Sequence, residues 1–201
     1  MTGLLGGAFD PPHNGHVALT DAAEREFDLE ELVILVTSRP GHKAVALDGE
    51  TRLRLARAAF PDREVELDPH ERTVDMLKSG RWREPWFLIG ADEFADFLTW
   101  KDPDGVLARA RLGVATRPGY PSERLDEVIR RLARPERVRF FEIDPMPISS
   151  RDIRELVARG EPIADLVPAA VADLIESLGL YRNVEAHGYT SAATTRDLKR
   201  H

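Results

Sequence analysis

Leu4-Leu5-Gly6-Gly7-Ala8-Phe9-Asp10-Pro11-Pro12-His13-Asn14-Gly15-His16 runs from a short apolar strand through a glycine turn and a Pro-rich bend into the start of a helix. The helix is expected from His16 to Phe27, where Val17, Leu19, Ala22, Ala23 and Phe27 fall close to helical spacing. Leu32–Val36 follows as an unbroken apolar run, the mark of a strand buried on both faces. The same alternation repeats outward from there. Thr51–Phe60 reads as a helix stopped by Pro61, Val65–Leu67 as a weak strand and Val74–Lys78 as a short helix. Trp86–Ile89 is a further buried strand ending at Gly90, Asp92–Leu98 a helix, and Leu112–Thr116 another strand. Ser122–Arg134 reads as a polar surface helix and Val138–Ile143 as the last strand. Helices at Ser150–Arg159 and Pro168–Leu178 close the pattern, with Gly179 as a C-terminal stop. The pattern predicts an α/β fold, a doubly wound parallel sheet of about five strands with helices on both faces. Ligands would then sit at the carboxyl ends of the strands, near the reversal of strand order.

Composition narrows the function classes. In 201 residues there are 28 Lys and Arg against 35 Asp and Glu, a net charge of −7. That balance argues against broad binding to nucleic acid or to an anionic membrane, while leaving room for a local basic pocket. With no cysteine, a disulfide framework, a thiolate nucleophile and a Cys-ligated metal are all excluded. No apolar run approaches the ~18 residues of a membrane span, and no basic leader with a cleavage site precedes Leu4. A cytoplasmic location is the expectation. Residues 1–181 read as one domain. Residues 182–201, rich in Ser, Thr and charge, read as a poorly anchored tail or an added helix without assigned function.

Two polar clusters stand out. His13 and His16 fall at a helix start, where unpaired N–H groups and the helix dipole favour an anion. Gly6 and Gly7 let the backbone approach a ligand closely. The alternative reading is that His13 caps the helix and His16 packs on the sheet. Far away, Ile148-Ser149-Ser150-Arg151-Asp152-Ile153-Arg154 sets two hydroxyls at another helix start, with Arg154 one turn along, an arrangement suited to phosphate oxygens. Its alternative is a Ser N-cap with Asp152 in the first turn and solvated arginines. Neither a P-loop lysine motif nor the dinucleotide glycine fingerprint is present.

Taken together, Gly6–His16 and Ile148–Arg154 resemble the paired signatures of the bacterial nicotinate-nucleotide adenylyltransferases, within the HxGH nucleotidylyltransferase superfamily. Gly41-His42-Lys43, Ile89-Gly90-Ala91-Asp92, Leu98-Thr99-Trp100, Arg117-Pro118-Gly119-Tyr120 and Gly179-Leu180-Tyr181 resemble further family segments in the family's order, so the likeness covers residues 2–181. The resemblance implies a Rossmann-like fold and transfer of AMP from ATP to the 5′-phosphate of nicotinate mononucleotide, releasing pyrophosphate. It implies catalytic roles for His13, His16 and Arg154. ATP would be bound by Gly6, Gly7, Ala8, Phe9, His16, Gly90, Asp92, Ser149, Ser150 and Arg154. The mononucleotide would be bound by Asp10, His42, Lys43, Arg72, Thr73, Trp100 and Arg117. Mg²⁺ would arrive with ATP rather than on protein ligands. Small molecules would be the partners, with homo-oligomerisation left open.

Bland readings stand beside several of these. Asp92 can cap the next helix, His42 and Lys43 can belong to a surface loop, and Trp100 can be a core anchor. Trp82 and Trp86 read as core or surface residues without a site role. The chain departs from the family at Gly41, where relatives carry Pro, and at Asp68–Thr73. Relatives there have a glycine followed by Ser-Tyr-Thr; this shorter segment keeps only Thr73. Rival readings are a nicotinamide mononucleotide or phosphopantetheine adenylyltransferase, and a non-catalytic ATP-binding sensor. A tRNA-synthetase fragment shares the His-x-Gly-His element, but the chain has no segment that reads as an RNA-binding domain.

Overall fold

The computed structural model describes residues 1–40 and 45–182. Residues 1–182 form, in order, β1 (Thr2–Gly7), α1 (Asn14–Phe27), β2 (Glu31–Thr37), α2 (Gly49–Ala59), β3 (Glu64–Asp68), α3 (Thr73–Lys78), β4 (Trp86–Gly90) and α4 (Ala91–Ala95). There follow α5 (Pro103–Leu107), β5 (Arg111–Thr116), α6 (Ser122–Arg131), β6 (Val138–Glu142), α7 (Ser150–Ala158) and α8 (Ala169–Ser177). The six strands are parallel, in the order β3-β2-β1-β4-β5-β6. Strand order therefore reverses between β1 and β4, the switch point at which such sheets bind ligands.

Strand residues alternate between two cores. Leu5, Ile34, Val36, Trp86 and Leu88 pack with α1, α2 and α8, while Leu4, Val33, Leu35, Phe87, Ile89, Leu112 and Val114 pack with α3 to α6. This is the period of two expected of strands covered on both faces. At Gly113 a Cβ would come within 2.7 Å of the Phe27 ring and 2.8 Å of Leu88, so glycine is what lets α1 lie close to β5. Among the described residues no helix is long and apolar enough to cross a membrane.

The sheet has six strands where about five were expected. The edge strands carry the least apolar signal: β3 buries only Val65 and β6 only Phe141. The expected helix Asp92–Leu98 is instead α4 followed by a 3₁₀ turn at Phe97–Thr99. Helix α5 was not anticipated; Asp102 caps it by accepting from the Gly105 N–H at 2.9 Å, with Pro103 in its first turn. Helices α1 and α2 each begin two residues earlier than expected, and α6 ends at Arg131 because Leu132 turns extended before Pro135.

Pairing of β1 with β4 ends at Leu5 and Leu88, although the other edge of β1 stays paired through Gly7. The strand ends beyond that point border a crevice on which the β1–α1 loop, the start of α7 and the β4–α4 and β5–α6 loops converge.

Candidate active site

Phe9 anchors the loop after β1. Its ring is buried, its backbone sits in the left-handed region at φ 51°, and it meets His16 edge-on at 5.1 Å between centroids. A Cβ at Gly7 would lie 3.0 Å from the Phe9 ring, and one at Gly6 3.2 Å from Phe87. The glycines thus admit aromatic packing beneath the loop. Phe9 is a support whose side chain faces the core, and only its backbone is left to face a ligand.

His13 occupies the N-cap of α1 and His16 its third position. The His13 backbone N–H donates to His16 Nδ1 at 3.1 Å. An imidazole nitrogen that accepts carries no proton, so the neutral His16 ring holds its hydrogen on Nε2. The two rings lie 3.8 Å apart, tilted by 35°. Burial holds the His13 imidazole down to about 4, with Asp152 pulling the other way, and its Nδ1 meets no partner among the described residues. Gly15 makes room for this: a Cβ there would stand 3.0 Å from His13 Nδ1 and 3.6 Å from Ile148.

Ile148 belongs to the distant second cluster, and the two clusters meet. Ser150 Oγ donates to the Pro11 carbonyl at 2.7 Å, and Arg154 Nη1 to the Asp10 carbonyl at 2.6 Å. Ser149 is the N-cap of α7, accepting from the Asp152 N–H at 3.2 Å and donating to its carboxylate at 2.6 Å. The Ser149 side chain is thus spent on the helix, and the Ser150 hydroxyl proton on the loop. What α7 presents is its first backbone N–H groups and the rest of the Arg154 guanidinium.

Asp10 is 2% exposed, and its carboxylate faces inward. It accepts from Tyr181 Oη at 2.7 Å and from the Ala46 N–H at 2.5 Å. Burial, then Asp10, pushes the Tyr181 hydroxyl well up, so it stays a donor. Beside it Arg52, 1% exposed, donates to the carbonyls of Ala8 (2.8 Å), Thr37 (2.9 Å), Leu47 (3.1 Å) and Ser38 (3.3 Å). Neither Arg52 nor the bond made by Tyr181 was anticipated from the sequence. The one available signal for Arg52 was an arginine on the apolar face of an amphipathic helix.

Across the crevice, Gly15, Gly90, Asp92, Arg117, Tyr120 and Asp144 line a cavity of about 160 Å³. Asp92 does not cap α4; Glu93 does so through the Gly90 N–H at 3.1 Å, leaving Asp92 to accept from Tyr120 Oη at 2.8 Å. The fold groups Arg117 with Gly90 and Asp92. Of the other residues expected at the acceptor, His42 and Lys43 lie outside the described residues. Arg72 is exposed at the N-cap of α3, next to Thr73, and Trp100 is half-buried, edge-on to Phe97 (5.3 Å) and Phe87 (6.2 Å).

A sequence model of the cytidylyltransferase-like family matches residues 4–156. A Moorella thermoacetica protein named as a nicotinate-nucleotide adenylyltransferase is 37% identical over 90% of this chain and 91% of its own length. A Rubrobacter xylanophilus protein of the same name is 35% identical over the same shares. Among solved structures, the nicotinic acid mononucleotide adenylyltransferase of Plasmodium falciparum, in complex with NaAD, superposes with a TM-score of 0.72 over 92% of this chain and 98% of its own, at 16% identity. With the HxGH loop and the Ser-Ser-x-x-x-Arg helix in contact at the switch point of such a sheet, this chain belongs to the nicotinate-nucleotide adenylyltransferase family of cytidylyltransferase-like nucleotidyltransferases.

Proposed function

We propose that residues 1–181 form one catalytic unit that transfers AMP from ATP to the 5′-phosphate of nicotinate mononucleotide, giving deamido-NAD and pyrophosphate, the reaction for which its relatives are named. The observation that carries this reading is the contact of the two clusters, Ser150 on Pro11 and Arg154 on Asp10, beside the His13–His16 pair. It gathers donors from two helix starts where a triphosphate would bend. The acceptor phosphate has a second pKa of about 6, so it is already ionised at neutral pH and needs no general base. An acceptor oxygen attacks the α-phosphorus as the bond to the bridging oxygen breaks and pyrophosphate leaves.

The work of the protein is alignment and charge neutralisation. His16, with its proton on Nε2, donates to an α-phosphate oxygen, and His13 supports it from the cap. Arg154 and the first N–H groups of α7 hold the departing pyrophosphate. Asp92, Arg117 and Tyr120 hold the adenosine end; Arg72, Thr73 and Trp100, with His42 and Lys43, hold the acceptor. Among the described residues no group of three His, Asp or Glu could hold a metal. Mg²⁺ entering with ATP would be held mainly by phosphate oxygens and water and would help neutralise the triphosphate charge. A cytoplasmic location fits substrates of this kind.

The test is pyrophosphate release from MgATP with nicotinate mononucleotide, nicotinamide mononucleotide and phosphopantetheine in parallel. Turnover with the first is expected; ATP binding without turnover on any of the three would make the chain a sensor instead.

A further inference from the structure

The amino-terminal ends of β4, β5 and β6, at the far end of the sheet from the nucleotide crevice, open onto a second cavity. It measures about 480 Å³ and is lined by Glu84, Trp86, Arg111, Glu136, Arg137 and Arg139. Trp86 and Gly90 stand at opposite ends of β4, so the two cavities are separated by roughly 13 Å of strand.

Two of the side chains lining this cavity carry an enclosed donor. Trp86 is 7% exposed, and its Nε1–H meets no acceptor among the described residues; neither does the enclosed Arg137 Nη1. Both groups can only donate. Buried donors are nearly always paired in folded chains, so two orphans around one cavity are unusual. The remaining charges are arranged around them. Arg137 Nη2 donates to Glu84 at 2.7 Å, Arg139 is paired with Glu26 at 2.7 Å, and Arg111 lies over the Trp86 ring at 5.7 Å. Arg137 first, with Arg111 and Arg83 behind it, holds the Glu84 carboxyl below the usual carboxylate range. Phe27 stacks on the Trp86 indole at 4.0 Å and Arg111 lies over its ring at 5.7 Å.

We propose that this cavity is an anion site separate from the nucleotide crevice, taking a small phosphate- or carboxylate-bearing ligand on Trp86 Nε1–H and Arg137 Nη1–H, with Arg111 adding charge.

Indole N–H resonances test it directly, because the chain has only 3 Trp and the Trp86 signal is assigned by its loss in Trp86→Phe. Wild-type protein is titrated with inorganic phosphate and, separately, with citrate, at constant ionic strength. The Trp86 indole signal should move saturably while those of Trp82 and Trp100 stay still; phosphate alone would identify a phosphate ligand and citrate alone a carboxylate. Arg137→Gln should weaken the response about tenfold or more. Glu84→Gln, which removes a competing charge while keeping an acceptor for Arg137, should tighten it by about two- to fivefold. His16→Ala should leave it unchanged. No movement of the Trp86 signal at tens of millimolar of either anion would overturn the proposal. So would a shift that survives Arg137→Gln, or one that His16→Ala abolishes.

Discussion

Burial disfavours a positive charge on the His13 imidazole, with Asp152 pulling the other way. The consequence for stability follows from proton counting. With its pKa lowered from 6.5 to about 4, His13 binds fewer protons in the folded than in the unfolded chain between those values. Stability from this group is therefore fully present above pH 6.5 and is lost as pH falls towards 4, by about 3 kcal/mol in all. Urea titrations at pH 7, 5.5 and 4 should show that loss, and His13→Gln should flatten this part of the profile. At His16 the effect is on rate. Removing a preorganised donor aimed at developing charge costs roughly 10²–10³ in kcat. His16→Ala should show that loss with near-wild-type unfolding, and retention of more than a tenth of kcat would defeat the assignment. Single residues were unequally legible in the sequence. Histidines at a helix start announce themselves by type and spacing. Arg52 does not, because the hydrogen-bond acceptors it meets among the described residues are backbone carbonyls, which leave no trace in residue identity.

In helix α7 both serine hydroxyls are engaged within the protein, since Ser149 caps the helix and Ser150 holds the loop. In the proposed reaction the hold of α7 on ATP would rest on Arg154, one of whose N–H groups is committed to Asp10. Arg154→Gln should weaken ATP by about 1.5–3 kcal/mol and AMP far less in calorimetric titration; an equal loss for both would move Arg154 away from the leaving phosphates. The start of α3 bears on the acceptor. Asp68 is turned to His70 at 2.7 Å and Asp75 to Lys101 at 2.8 Å, so neither carboxylate opposes an anion at that end undiminished, and Arg72 stands exposed beside it. The dipole preference of roughly 0.3–1 kcal/mol corresponds to a kcat/KM about two- to fivefold higher for nicotinate than for nicotinamide mononucleotide. A ratio at or below one would mean that the shortened 68–73 segment has changed the substrate. Elements were readable from sequence where they are buried. Leu32–Val36 and Trp86–Ile89 declare themselves as continuous apolar runs, whereas the edge strands β3 and β6 bury one side chain each and are faint. The break after Ala95 was hidden because Phe94, Phe97 and Leu98 keep a helical spacing through it.

At the scale of the molecule, Asp10 joins the β1–α1 loop to three distant segments through Ala46, Arg154 and Tyr181. No pattern of local periodicity reports such contacts; only the joint presence of the two signature clusters hinted that residues 6–16 and 148–154 come together. Tyr181→Phe would strip a buried carboxylate of one donor, which costs about 1–3 kcal/mol, and the urea midpoint should fall accordingly with an unchanged m-value. An unaltered midpoint would mean that this bond carries no weight. The bond also spans 171 residues, which gives the crevice a place in time. A ribosome adding about 5–20 residues per second needs roughly 10–30 s to travel from Asp10 to Tyr181, and domains begin folding during that interval. All six strands have been made by Glu142, so the sheet can condense while the loop that would grip ATP still lacks its last fastening. The fastening of that loop by Tyr181 is thus added only after the sheet beneath it has been made.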